Sequence, residues 1–283
     1  MLATEKDSVA IIMRSKNEMP YIERSLSALK RQSFTHFTLY CVDSGSQDGS
    51  GDIARCYTDH FIEIKPEEYR PGPVLNMMIA HSKEPLIVLL NADAIPCSID
   101  WLENMVRPII ENQADATFCR QIPRQDARFL VRYDYERAFD PRKIEPFFFS
   151  AVACAFRRVL WERHHFYEKG YSEDIAWAKT AREDEARICF LPEVQVEHSH
   201  NYTLEEIYRR GFIEGEAEYY IFKKRPSIIF EGYLCLKEIV RDFFYTLGKG
   251  RIWLIPYHIL ARLVKHAGFY AGKRQGGKRS GHI

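Results

Sequence analysis

Three groups of residues in this chain have types and spacings that can do chemistry. Asp93 follows the apolar run Leu86 to Leu90, which is bounded by Pro85 and Asn91 and reads as a strand buried on both faces. A carboxylate just past the C-terminal end of such a strand lies where open α/β sheets bind ligands. No basic residue stands within several positions of it, so it calls for an external partner, and a divalent cation holding a phosphate supplies one. The alternative is a plain loop aspartate. Glu173 and Asp174 follow Ser172 at the start of a helical stretch, where the N-cap and the helix dipole favour acids, so capping accounts for them equally well. The third group is a His-x-His, His198 and His200, at the end of a late strand.

Regular elements have to carry these residues. Val9 to Met13 reads as a buried strand leading into Arg14-Ser-Lys-Asn-Glu18, and Pro20 opens a helix with apolar Ile22, Leu26 and Leu29 at i, i+4, i+7. Phe37 to Val42 is a second strand, ending in the glycine-rich turn Asp43-Ser-Gly-Ser-Gln-Asp-Gly49 and a short helix around Ile53. His60 to Ile64, Pro73 to Ser82 and Leu86 to Leu90 continue as strand, helix, strand. Alternation with short loops predicts a parallel sheet with right-handed crossovers. The loops holding Arg14, Ser15, Asn17, Glu18, Asp43 and Ser44 then leave the same edge as Asn91, Ala92 and Asp93. That edge is the expected nucleotide site.

Further along, Trp101 to Glu111 is predicted helical, and Arg120 to Arg142, dense in arginine and aspartate, is expected as a long mobile loop. Phe147 to Phe156 reads as a strand, Arg157-Arg158 as a helix start, and Ser172 to Arg182 as a helix capped by Ser172. Arg187 to Leu191 and Gln195 to Val196 read as short strands. A helix over Tyr208 to Phe222 closes the expected catalytic domain at Arg225-Pro226. The expected domains are therefore 1–225, with a nucleotide half to about residue 100 and an acceptor half over 101–225, and a tail over 226–283.

A chain of 283 residues suffices for one large α/β domain with an appendage. A net charge of +1 argues against a nucleic-acid binder, which would carry a strong basic excess. The seven cysteines are scattered and never form C-x-x-C, as expected of buried thiols in a reducing compartment. Met1 to Asp7 is polar and lacks a signal-peptide core. No window reaches the ~18 apolar residues of a membrane span. The chain is expected in the cytoplasm, or lying on the inner face of the cytoplasmic membrane without crossing it.

In order and spacing, these elements resemble the inverting glycosyltransferases of family 2, which have the GT-A fold, and within it the rhamnosyltransferase-like branch acting on bacterial surface polysaccharides. The matching segments are Ser8 to Glu18, Cys41 to Gly49, Asn91 to Pro96, Phe148 to Arg157, Ser172 to Trp177 and Val196 to Tyr202. The resemblance implies a nucleotide-sugar donor, a glycan or lipid-linked glycan acceptor, and a divalent cation, Mn²⁺ or Mg²⁺. Asp93 matches the last acid of the D-x-D motif that holds this cation on the diphosphate, and His198 or His200 matches a histidine that completes its shell. Imidazole suits Mn²⁺ better than Mg²⁺. Asp174, ahead of Glu173, matches the general base that takes the acceptor proton, and Trp177 falls on the acceptor side.

The sequence departs from the family at three positions. Asn91 replaces the first acid of D-x-D, Ser44 follows Asp43 where some uridine-using relatives have a second aspartate, and Leu75 stands where relatives often carry a diphosphate-binding arginine. Arg70 substitutes only if its loop folds back. These departures leave thymidine or guanosine donors open and keep alive a catalytically silent GT-A domain that binds nucleotide-sugars or scaffolds an assembly. A dinucleotide oxidoreductase is set aside, because Arg14 to Glu18 contains no glycine. Beyond Pro226, ten basic residues face three acidic ones among many aromatics, which suits an anionic membrane surface. The competing expectation is helices packed on the catalytic domain, with a disordered tail after Gly272.

Overall fold

The structure, a computed structural model, describes residues 8–168 and 170–279. The chain divides into two compact units, one up to His200 and one from Asn201 onward. The first unit is a mixed α/β sheet. Its strands are β1 (Val9–Ser15), β2 (Phe37–Asp43), β3 (His60–Glu63), β4 (Leu86–Asn91), β5 (Ile95–Pro96), β6 (Ala116–Ile122), β7 (Ala153–Arg157) and β8 (Ile188–Glu197). They lie in the order β3-β2-β1-β4-β7-β6-β8-β5. The four N-terminal strands β3, β2, β1 and β4 run parallel, as the alternation predicts, while β7 runs antiparallel to both β4 and β6.

Both faces of the sheet are covered, so its central strands are apolar throughout. Val9, Ile11 and Met13 face α1 (Tyr21–Lys30), α2 (Ser50–Tyr57) and α4 (Trp101–Ile110), and Ala10 and Ile12 face α3 (Pro71–His81), which is joined there by α6 (Arg158–Arg163) and α7 (Glu173–Glu183). Register sets the site. Ser15 pairs with Asp43 and Arg14 with Asn91, so the C-terminal ends of β1, β2 and β4 finish level. On the far side β6 and β8 are parallel with Ile122 opposite Glu197, and Ile95 of β5 also pairs with Glu197. The residues just after Ile122, those just after Glu197 and those just before Ile95 therefore meet at one edge.

Several expectations are corrected here. The segment expected as a mobile loop over Arg120 to Arg142 holds the end of β6 and a helix, α5 (Phe129–Ala138), and Arg124 between them is buried. The strand expected over Phe147 to Phe156 is restricted to Ala153–Arg157; Phe149 ahead of it is buried against Phe118 and Trp177 without joining the sheet. The two late strands are one, β8, whose register against β6 jumps from Leu191 to Gln195 because Pro192 cannot donate to the ladder. Ser172 does not cap α7: it is left-handed, at φ 61°, and its side chain makes no capping bond.

The second unit comprises α8 (Leu204–Phe222), α9 (Ile228–Gly248) and α10 (Ile255–Arg279). Thr203 and Glu206 form a reciprocal capping box at the start of α8. This helix packs on α10 and so groups with the tail, not with the catalytic half that sequence assigned it to. The stretch after Gly272, expected to be disordered in one reading, continues as helix to Arg279. Gly215 of α8 sits against the backbone of Phe269, and Gly272 of α10 against that of Phe212, where any Cβ would collide. Among the described residues no helix is long and apolar enough to cross a membrane.

Candidate active site

Two loops after β1 and β2 build one half of the edge. Asp43 is buried and spent on its own turn: one carboxylate oxygen accepts from the Gly45 and Ser46 N–H groups at 3.1 and 2.8 Å, the other from the Ser46 hydroxyl at 2.6 Å. Ser44 N–H donates to Ser15 O at 3.1 Å. Asn17, left-handed at φ 55°, a conformation asparagine tolerates, donates its N–H to the Ser46 hydroxyl and accepts from Gln47 N–H, both at 2.8 Å. The loops are thus cross-tied, and beside the second of them Asp43, Gly49, Arg55 and Phe61 line a cleft of about 180 Å³.

The β4–β5 turn holds Asp93. Ala92 N–H donates to Arg14 O at 3.1 Å and Asn91 N–H to Val152 O at 2.9 Å. Asp93, which by sequence calls for an external partner, is buried among internal ones. Arg124 donates from one Nη to the Asp93 carboxylate at 2.7 Å and to its carbonyl at 2.6 Å, and from the other to Ser199 O. The guanidinium carbon lies over Tyr21, 3.6 Å from the ring centroid. His198 and His200 bring their Nε2 atoms to 3.4 and 3.3 Å from the same Asp93 oxygen and to 3.2 Å from each other. His198 Nδ1 is fixed from behind by Gln121 at 2.8 Å and Tyr135 at 3.2 Å.

Electrostatics follow from this packing. Burial opposes ionisation of Asp93, yet His198, His200 and Arg124 together hold its carboxyl below the ordinary range. The Glu18 carboxyl faces the opposite balance: burial, then the nearby Asp93 charge, push it up to about 8 against the pull of Arg124.

The third group reaches the edge from α7. Glu173 forms an ion pair with Arg14 at 2.8 Å, and Arg14 also donates to the Asn91 amide oxygen at 3.1 Å. One half-buried arginine therefore links β1, the position of the missing D-x-D acid and the acidic pair. Asp174 accepts from Ala151 and Ile175 N–H groups at 3.2 and 2.8 Å. Burial, and after it the Glu173 charge, push the Asp174 carboxyl up to about 6.

Trp177 is corrected. It is not on an acceptor surface but in the core, where its indole packs on Phe149, Phe156 and Phe166 and donates to His164 O at 2.7 Å. One turn after Glu173, it faces the sheet because α7 buries that stripe. Leu75 is fully buried in α3 and Arg70 stands before that helix's first residue.

A sequence model of glycosyl transferase family 2 matches residues 10–166, more than half of the chain. The chain belongs to that family. Among similar curated proteins, the O-antigen chain rhamnosyltransferase WbaN of Salmonella anatum is 26% identical over 264 residues, covering 87% of this chain and 82% of its own. The O-antigen chain rhamnosyltransferase RfbN of Salmonella typhimurium is 24% identical over 94% of this chain and 89% of its own. A solved mannosyltransferase from Pyrobaculum calidifontis, in complex with GDP-Man and Mn²⁺, superposes with a TM-score of 0.61 at 18% identity over 97% of this chain and 82% of that one, which shows a shared fold.

As a family 2 member the chain carries a feature that its sequence reading missed. Arg124 lies just past the end of β6, behind Pro123, in the position relative to its strand that Asp93 holds relative to β4. Ala116 to Ile122 carries the alternating small, β-branched and aromatic residues of a strand, and that signal was available.

Proposed function

We propose that this chain transfers a sugar from a nucleotide-sugar to a hydroxyl of a lipid-linked glycan, with inversion at the anomeric carbon, during assembly of a bacterial surface polysaccharide at the inner face of the cytoplasmic membrane. The observation that carries this is the pairing of two unlike carboxylates on α7. Glu173 is neutralised by Arg14, while Asp174, with its pKa near 6, stands ionised yet basic at neutral pH. Family membership and the two Salmonella relatives, matched over most of both chains, support the reading.

The reaction needs an acceptor oxygen stripped of its proton and a diphosphate able to leave with the bonding electrons. Asp174 takes the proton from the acceptor hydroxyl as its oxygen attacks the anomeric carbon and the bond from that carbon to the diphosphate oxygen breaks. Arg14 keeps Glu173 from competing for that proton and fixes Asn91. The one carboxylate oxygen and two imidazole nitrogens of Asp93, His198 and His200 form a near-equilateral triangle with edges of 3.2, 3.3 and 3.4 Å, the size that bonds of about 2 Å to one cation span. This mixed nitrogen and oxygen set fits Mn²⁺, whose chemistry there is to offset the charge on the departing diphosphate.

A screen of nucleotide-sugars, nucleotide-activated rhamnose and GDP-mannose first, with Mn²⁺ and a polyprenyl-linked oligosaccharide, tests the reading. Nucleoside diphosphate release that depends on the acceptor and disappears in Asp174→Asn is expected. Donor binding without release for any pair would instead make the chain a nucleotide-sugar binder.

A further inference from the structure

Helix α9 is built inside out. Its apolar residues Ile229, Tyr233, Leu236, Val240, Phe244 and Leu247 recur at helical spacing on one stripe and are exposed, Ile229 by 83% and Phe244 by 64%. Its acids lie on the opposite face. Glu231 pairs with Lys273 at 2.7 Å, Asp242 with Arg262 at 2.6 Å, and Glu238 with Lys265 at 3.2 Å, all on α10. Thr246, in the same inward row, meets His258 at 3.0 Å. These pairs, the first two buried and the third half-buried, fix the rotation of α9, because rolling its apolar side onto α10 would strand three carboxylates. The apolar stripe is thus held outward by the ion pairs behind it.

The charge around that stripe has a single sign. Between Tyr219 and Arg279 the chain has no acid besides those three, so nothing negative remains on the outer side. Exposed cations stand at both ends and in the middle: Lys223, Arg225 and Lys224, the last also paired with Glu218 of α8 at 2.7 Å, before the helix, Lys237 within it, Lys249 and Arg251 after it, next to the exposed Trp253. A second copy laid on this stripe would bring cation clusters together at its ends, whichever way it ran. Anionic lipid complements every part of it: acyl chains the stripe, headgroups the lysines and arginines, and the interface the aromatic rings.

We infer that the outer face of α9 is a membrane-docking surface, lying in the plane of an anionic bilayer with its apolar stripe in the headgroup–acyl boundary. This deepens the proposed function, on which it rests for its purpose, by placing the chain on the lipid that carries the acceptor.

The full chain is sedimented with vesicles of phosphatidylcholine alone and with added phosphatidylglycerol, at low and high salt, beside Leu236→Glu/Phe244→Glu and a Lys223→Gln/Lys224→Gln/Arg225→Gln variant. Binding is expected only with phosphatidylglycerol and weakens with salt. The double variant lowers it about tenfold or more, since two apolar side chains leave the bilayer; the triple variant lowers it and flattens its salt dependence. Circular dichroism of both variants should match the parent, because the altered side chains are exposed. No binding to phosphatidylglycerol vesicles, or binding that both folded variants retain, overturns the inference. So does a parent that self-associates through this stripe without binding vesicles. Nucleoside diphosphate binding with Mn²⁺, measured on the same samples without lipid, reports on the catalytic reading separately.

Discussion

Arg124 Nη2 sits 2.7 Å from Asp93 Oδ2, so a built-in cation already neutralises the carboxylate that the sequence offers to a metal. Both groups are buried. Removing one partner of a buried pair typically costs about 3–5 kcal/mol, because the other is left uncompensated. Arg124→Met should therefore lower the unfolding temperature by on the order of 10 °C in EDTA. Mn²⁺ supplies a replacement positive charge beside Asp93, so part of the loss should return when it is added. A loss of the same size in EDTA and in Mn²⁺ would remove Asp93 from the cation site.

Asp93→Ala should abolish the Mn²⁺-dependent part of nucleoside diphosphate binding while the protein stays folded. Titration calorimetry with and without Mn²⁺ measures that part directly. An unchanged metal-dependent affinity would sink the assignment of Asp93, His198 and His200.

The two acids of α7 should separate. Asp174→Asn keeps nucleoside diphosphate affinity and loses ~10²–10⁴ in turnover, the usual contribution of a general base. Glu173→Gln breaks the ion pair to Arg14 and frees that arginine from α7, so its effect should reach donor affinity as well as turnover. Full activity in Asp174→Asn with a dead Glu173→Gln would reverse the roles.

How legible these features were in the sequence depended on how local their causes are. The strands β1, β2 and β4 announce themselves as apolar runs, and the site residues at their ends follow from sheet geometry alone. The arginine partner of Asp93 did not follow, because Arg124 lies 31 positions away in sequence and reaches it through the β6–β8–β5 register. Trp177 misled for a similar reason: a helix one turn past an acidic pair can face solvent or sheet, and only the aromatic cluster around Phe156 decides. Charge density misled over Arg120 to Arg142, where Arg120 belongs to a strand end, Arg132 and Arg137 belong to a helix, and Arg124 is buried.

The raised carboxyl of Asp174 sets a pH limb. A base must be ionised to act, so turnover should fall about tenfold per unit below pH ~6, and that limb should vanish in the residual activity of Asp174→Asn. Glu18, raised to about 8, acts on stability instead. Its folded pKa lies above its unfolded one, so its contribution is present at low pH and is lost as pH rises through about 8. In EDTA, Glu18→Gln should make unfolding temperature less dependent on pH between mildly acidic conditions and pH 8. A parallel decline in parent and variant would show that Glu18 is not the group responsible.

Glycines made the C-terminal stretch read as disordered, yet they are where its helices touch. Gly215 and Gly272 face the backbones of Phe269 and Phe212, so α8 and α10 meet without side chains between them. Even a methyl group at either position must push a backbone aside, and overpacking of that kind costs about 1–3 kcal/mol or more. A disordered tail would instead gain slightly from alanine, which loses less entropy than glycine on entering a helix. Gly272→Ala and Gly215→Ala should therefore each lower the unfolding temperature and raise proteolysis within 201–279, whereas Gly232→Ala, on the open side of α9 with nothing near its Cβ, should not. Limited proteolysis of the three variants, with the fragments mapped by mass, distinguishes the accounts: unchanged protection in Gly272→Ala would mean that α8 and α10 do not pack this closely.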